Sequence, residues 1–157
     1  MTKRQLTKRQ KPTKTAKTNP RSFSRRFEVK PDPSLPYMVE VRIASTRAHM
    51  RGEMLRIDGY EDSPRIEGLC RHWCGRQSGK TVARPRGMVA RIYLNAQALS
   101  ERPSEITSHE CGHAAMAWAR FRRANLQEME GEEVMCYALG RLVAQVNRIC
   151  YAAGAFK

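Results

Sequence analysis

No apolar run in this 157-residue chain approaches the roughly 18 residues needed to cross a bilayer. The charged-then-apolar leader of a secreted chain is also missing, so neither membrane insertion nor secretion is expected. Cysteine is present but unorganised. Five thiols, an odd number without the density of a disulfide scaffold, point to free cysteines in a reducing cytoplasm. There is no internal repeat, which leaves out solenoids and propellers.

Acid is nearly absent from the first stretch. Residues 1–30 hold eleven Lys and Arg against one acid, Glu28, and so carry +10 of the chain's net +14. Rich in Thr, Lys, Gln and Pro, with apolar residues as scattered as Leu6 and Val29, this stretch cannot offset the entropy of ordering. A disordered basic tail over 1–30 and one domain over 31–157 are expected. The tail suits non-specific contact with nucleic acid or an assembly partner, through long-range attraction and counterion release. The competing reading is a solubilising arm.

Beyond the turn-rich "PDPSLP", the segment "YMVEVRI" alternates apolar and polar residues as a strand does. "STRAHMRGEMLRI" reads equally as a short helix or an irregular connection, and "DGYEDSP" reads as a loop. "RIEGLCRHWC" and "GRQSGKTVARPRG" suggest a hairpin turning at Ser78 and Gly79. The clearest strand is "MVARIYLN", dense in branched and aromatic residues.

Two helices close the chain. One is expected over about 104–123, with Ser100 or Ser104 as N-cap, Pro103 near its start, Glu105 in the first turn and arginines at its end. The other is expected over about 131–151, where Val134, Met135, Leu139, Leu142, Val143, Val146 and Ile149 form an apolar stripe and Gly154 stops the helix.

Within the first of these helices stands "SHECGHAAMAW", which sets polar groups into an apolar flank. At about 100° per residue, His109 and His113 fall about 40° apart, with Ile106, Ala117 and Phe121 nearby. Unpaired polar groups on an inward face cost several kcal/mol. A metal ion compensates them: imidazoles at i and i+4 can share one tetrahedral Zn²⁺, and Glu110 beside them is placed to take a proton from water. This is the H-E-x-x-H arrangement of zinc peptidases.

Such a site needs a third protein ligand. On the wheel of the last helix Glu132 falls with Cys136, Leu139, Val143 and Cys150, and Glu133 about 100° away. Glu132 is therefore expected to point inward as the ligand, with Glu133 as the alternative. A third reading leaves neither bound, one of them serving the positive end of the helix instead.

"HECGH", then 18 residues, then Glu132 with Tyr137 five positions on, resembles the gluzincin pattern. The segments "RIYLNAQALSERPSEITSHECGHAAM" and "GEEVMCYALG" are similar to minimal gluzincins and to short phage- or prophage-encoded metallopeptidases. The resemblance spans about residues 88–151. It implies an α+β fold in which a short mixed sheet packs on two long C-terminal helices. It also implies Zn²⁺ on His109, His113 and the glutamate, Glu110 as general base and proton shuttle, and a polypeptide substrate in a bacterial host's cytoplasm or a virion. Cys136 stands where gluzincins often carry Asp or Asn to orient a histidine.

Other motifs are weaker. "GRQSGKT" is one residue short of a phosphate-binding loop, and "CRHWC", with Cys70, His72 and Cys74, lacks a partner pair for a structural zinc. Buried apolar thiols are the simpler reading there, as for Cys111 and Cys136. The sequence thus points to zinc-dependent peptide hydrolysis. Against it stand a catalytically silent, virion-associated protein of the same fold that touches nucleic acid through its tail, and a nucleic-acid accessory protein whose histidines only make core hydrogen bonds.

Overall fold

The computed structural model describes residues 24–59, 66–73 and 86–156. In chain order the elements are β1 (Ser24–Val29), β2 (Met38–Ala44), α1 (Arg47–Asp58), β3 (Gly68–His72), β4 (Met88–Asn95), α2 (Ala96–Leu99), α3 (Pro103–Phe121) and α4 (Met129–Ala152). The fold is α+β, with a four-stranded mixed sheet in the order β1-β2-β4-β3. β2 and β4 are parallel, whereas β1 on β2 and β3 on β4 are antiparallel. No helix among the described residues is long and apolar enough to cross a membrane.

The alternation of β2 sorts its side chains between two covered faces. Val39, Val41 and Ile43 join Ala90, Ile92 and Leu94 of β4 against α3 and α4, around Ile106, Ala114, Trp118, Leu142 and Val146. On the opposite face α1 lays Met50 and Met54 over Ala44 and Tyr93. That face also carries charge. Glu40, 1% exposed, accepts from Arg91 Nε and Arg42 Nε at 2.6 Å each, and from Arg26 Nε at 2.7 Å. Arg91 also pairs with Asp58, the last residue of α1, which accepts from the Tyr93 hydroxyl at 2.6 Å. Burial raises the carboxyl pKa of Glu40, but the hydrogen bond from Arg42 and the charge of Arg91 outweigh it and hold Glu40 below the usual range.

This network revises the expected boundary. Ser24–Val29 lies within the stretch expected to be a disordered tail, yet it pairs residue for residue with β2, from Ser24 opposite Ala44 to Val29 opposite Val39. Phe27 and Val29 pack on the core while Arg26 reaches Glu40, so a charged segment acquires a strand's two faces. The domain therefore begins before residue 31. The rest of the basic stretch lies outside the described residues.

α1 settles the ambiguous segment as a helix, capped by Thr46 accepting from the His49 N–H at 3.2 Å and closed by Gly59 in the left-handed region at φ 60°. β3 pairs antiparallel with β4, and the expected turn at Ser78 and Gly79 lies outside the described residues. α3 has no side-chain cap. Pro103 opens it with Glu105 in its first turn, so neither Ser100 nor Ser104 takes the expected cap position. After Arg123, at φ 56°, the chain turns so tightly into α4 that a Cβ on Gly131 would lie 1.9 Å from the Asn125 carbonyl oxygen.

Truncating one partner of a buried pair leaves the other charge uncompensated. Asp58→Ala, which strands part of Arg91 and the Tyr93 hydroxyl, is expected to destabilise the chain by about 3–5 kcal/mol in urea unfolding.

Candidate metal centre

α3 turns a buried stripe of Ile106, Thr107, Glu110, Cys111, Ala114, Ala117 and Trp118 toward the sheet and α4. Glu110 sits at its centre and is 6% exposed. At about 100° per residue, His113 lies about 60° and His109 about 100° to one side of it. Burial follows that order: Glu110 is buried, His113 half-buried and His109 exposed. The two histidines thus occupy the rim of the buried face, not the inward position expected of them.

The rim position lets the rings converge. His109 Nε2 and His113 Nε2 stand 3.2 Å apart, with ring planes at 86°. Two nitrogens bound to one tetrahedral zinc at about 2.0–2.1 Å are themselves about 3.3 Å apart, so the pair fits two positions of such an ion. The His113 imidazole is pushed below its ordinary pKa by burial and then by the neighbouring His109 and His72, which favours the neutral form that can ligate.

β3 supplies the wall beside Glu110. Gly68, Cys70 and His72 pair with Leu94, Ile92 and Ala90, so all three face the α3 side of the sheet. A Cβ on Gly68 would lie 3.0 Å from Glu110 Cγ, 3.1 Å from its Oε1 and 3.1 Å from Ile106 Cγ2, so only glycine leaves room for the carboxyl. The Cys70 N–H donates to Glu110. Burial pushes Glu110 up to about 7, with the Cys70 hydrogen bond pulling the other way. A carboxyl poised there can accept and return a proton near neutrality.

The expected third ligand is not brought to this pair. The buried residues of α4 are Gly131, Ala138, Leu142, Val146 and Cys150, and both Glu132 and Glu133 are exposed in its opening turns. Glu132 therefore does not point inward. α3 continues eight residues past His113 to Phe121, and Trp118 shares a cavity with Val134, Tyr137 and Ala138. Glu132, six residues or about 9 Å before Ala138, lies beyond the Trp118 level on the side away from the histidines. Among the described residues, no three of His, Cys, Asp and Glu are grouped closely enough to hold a metal ion.

His72, weighed from the sequence only within the weak "CRHWC" motif, is the further imidazole on this side of the sheet. It lies on the α3-facing side of β3, and its charge is felt at His113. "CRHWC" signalled it only as a local motif, whereas its relevance comes from strand pairing. Cys74 of that motif and "GRQSGKT" lie outside the described residues. Cys111 and Cys150 are packing groups as expected for Cys111: both are buried, and burial pushes each thiol up to about 12. Cys136 is exposed instead. No match to a known protein family, a curated protein or a solved structure was found.

A carboxyl with a raised pKa binds its proton more tightly in the folded than in the unfolded chain. Its contribution is present at low pH and is lost as pH rises from 4.5 to about 7. In metal-free protein, wild type should therefore lose about 3 kcal/mol over that window relative to Glu110→Gln, which keeps the shape without the titration. Urea midpoints of both proteins at the two ends of the window measure it, and parallel curves would place the Glu110 carboxyl in water.

Proposed function

We propose that this chain is a zinc-dependent peptide hydrolase in which His109 and His113 hold the metal and Glu110 is the general base. The observation that carries the reading is the convergence of two imidazole nitrogens to 3.2 Å at the rim of a helix whose next inward residue is a buried, proton-accepting carboxyl. Zinc in this position supplies Lewis-acid polarisation of water and of the scissile carbonyl.

The chain's own residues account for the rest of the reaction. The Glu110 carboxylate takes one proton from the attacking water and delivers it to the leaving amine, so peptide plus water gives acid plus amine. Its burial keeps bulk water from competing for that proton. The outer edge of β3 has no strand partner among the described residues, and an extended polypeptide can add there beside Glu110. The basic N-terminal stretch is proposed to hold the enzyme near a polyanion such as nucleic acid.

Zinc per chain, measured by mass spectrometry after dialysis against a weak chelator, should be about one in wild type and near zero in His113→Ala. Glu110→Gln should keep its zinc and lose peptide hydrolysis by at least about a hundredfold. His72→Ala and Glu132→Ala, compared in the same titration, identify which of the two supports the metal. Zinc without hydrolysis in wild type would assign the fold a structural role, and no zinc would remove the reading.

A further inference from the structure

A second concave site lies on α3 and α4 beyond the histidines, outside the hydrolytic reading. It is an open cavity of about 230 Å³ with Trp118 and Tyr137 among its walls, Arg122 and Arg141 at its edges, and Asp32 from the β1–β2 connection. Arg122 lies over the Trp118 ring at 5.6 Å, and Tyr137 is 67% exposed. Asp32 is held in place by Ser34, whose N–H and hydroxyl both donate to Oδ1 at 2.9 and 2.6 Å.

Past the glutamates of its opening turns, α4 presents a basic and aromatic face. From Val134 to the end of the sequence there is no acid, and Tyr137, Arg141, Arg148 and Tyr151 are spread along α4, with both tyrosines and Arg141 exposed. At about 1.5 Å per residue they mark a track of about 21 Å along the helix, with Arg122 and Arg123 exposed at the end of α3. Arginines flanked by exposed tyrosines match a chain of phosphates carrying flat rings, because every base presents a π-face while the charges follow the backbone.

We propose that this face binds single-stranded nucleic acid, with one unstacked base laid on the exposed ring of Tyr137 at the mouth of the cavity, above the buried Trp118, and its flanking phosphates on Arg122 and Arg141. Asp32 distinguishes this ligand from a purely anionic one. A carboxylate inside the cavity repels carboxylates and phosphates alike, but it accepts a hydrogen bond from the exocyclic amine of cytosine, adenine or guanine, which a polyanion without such a donor cannot give. A duplex, whose bases are stacked and paired, cannot fill the cavity without the cost of their release.

The test is fluorescence anisotropy of a labelled short oligodeoxycytidine strand with the full chain, so that the basic N-terminal stretch is present throughout. Tyr137→Ala should weaken binding about tenfold. Arg122→Ala with Arg141→Ala should reduce the slope of log affinity against log salt by about 0.7 for each phosphate that is no longer neutralised. Unchanged circular dichroism guards both against misfolding. A duplex of the same length should bind more weakly than the single strand, and polyglutamate should compete poorly. Equal affinity for duplex and single strand, competition by polyglutamate at matched charge, or an unaffected Tyr137→Ala would each overturn the proposal and leave the binding to general electrostatics.

Discussion

A single buried carboxylate, Glu40, organises the half of the molecule that the candidate metal centre does not touch. Three arginines from three adjacent strands converge on it, and one of them, Arg91, carries the connection on to Asp58 at the end of α1. Isolated, any of these charges would be costly beneath a helix, so they are tolerated only as a set. Glu40 on β2 lies opposite Arg91 on β4 in the parallel pair at the centre of the sheet, and β3 is at the edge against α3.

That edge position makes the buried Glu110 carboxyl possible. Only a strand with a glycine facing the helix can approach α3 closely enough to give Glu110 a backbone N–H while excluding water. The two faces of the sheet therefore treat acid in opposite ways. Glu40 has three cations and is held ionised, whereas Glu110 has one neutral donor and is pushed toward neutrality. A carboxylate fully paired with arginine is a fastener, and one left with a single amide is available for proton transfer.

Much of this was legible in the residues. β4, α3 and α4 were marked by composition and period, and the observed ends fall within about two residues of those expected. β1 was hidden because its arginines dominate the composition of its surroundings, and a strand whose polar side chains are exposed, with only Phe27 and Val29 packed on the core, looks like a solvated segment. α1 was hidden for a related reason: only Met50 and Met54 mark its apolar side, and Asp58, which looks like a loop residue, is one of its buried anchors. The approach of His109 and His113 to one another was expected from spacing alone, since i and i+4 fixes a geometry wherever the helix lies. His72 was named only within a weak local motif and not with this pair, because nothing local in "CRHWC" reveals that β3 pairs with β4.

The fate of Glu132 shows where spacing stops being geometry. Inside one helix a residue count is a distance and an angle. Across two helices it becomes a distance only once the turn between them is located. The 18 residues between His113 and Glu132 match the resemblance, yet eight residues beyond His113 extend α3 and only seven form the connection to α4. Lengthening the first helix moves the turn away from the histidines and carries the start of the second helix with it. Leu142 and its neighbours then face α3 nearer the histidine level, and Glu132 is left in the opening turn, where its charge meets the positive end of α4. The stretch of α3 that continues past the histidines also carries Trp118, which shares the second cavity with Tyr137 of α4, so the same turns of helix separate the acid from the histidines and line that cavity.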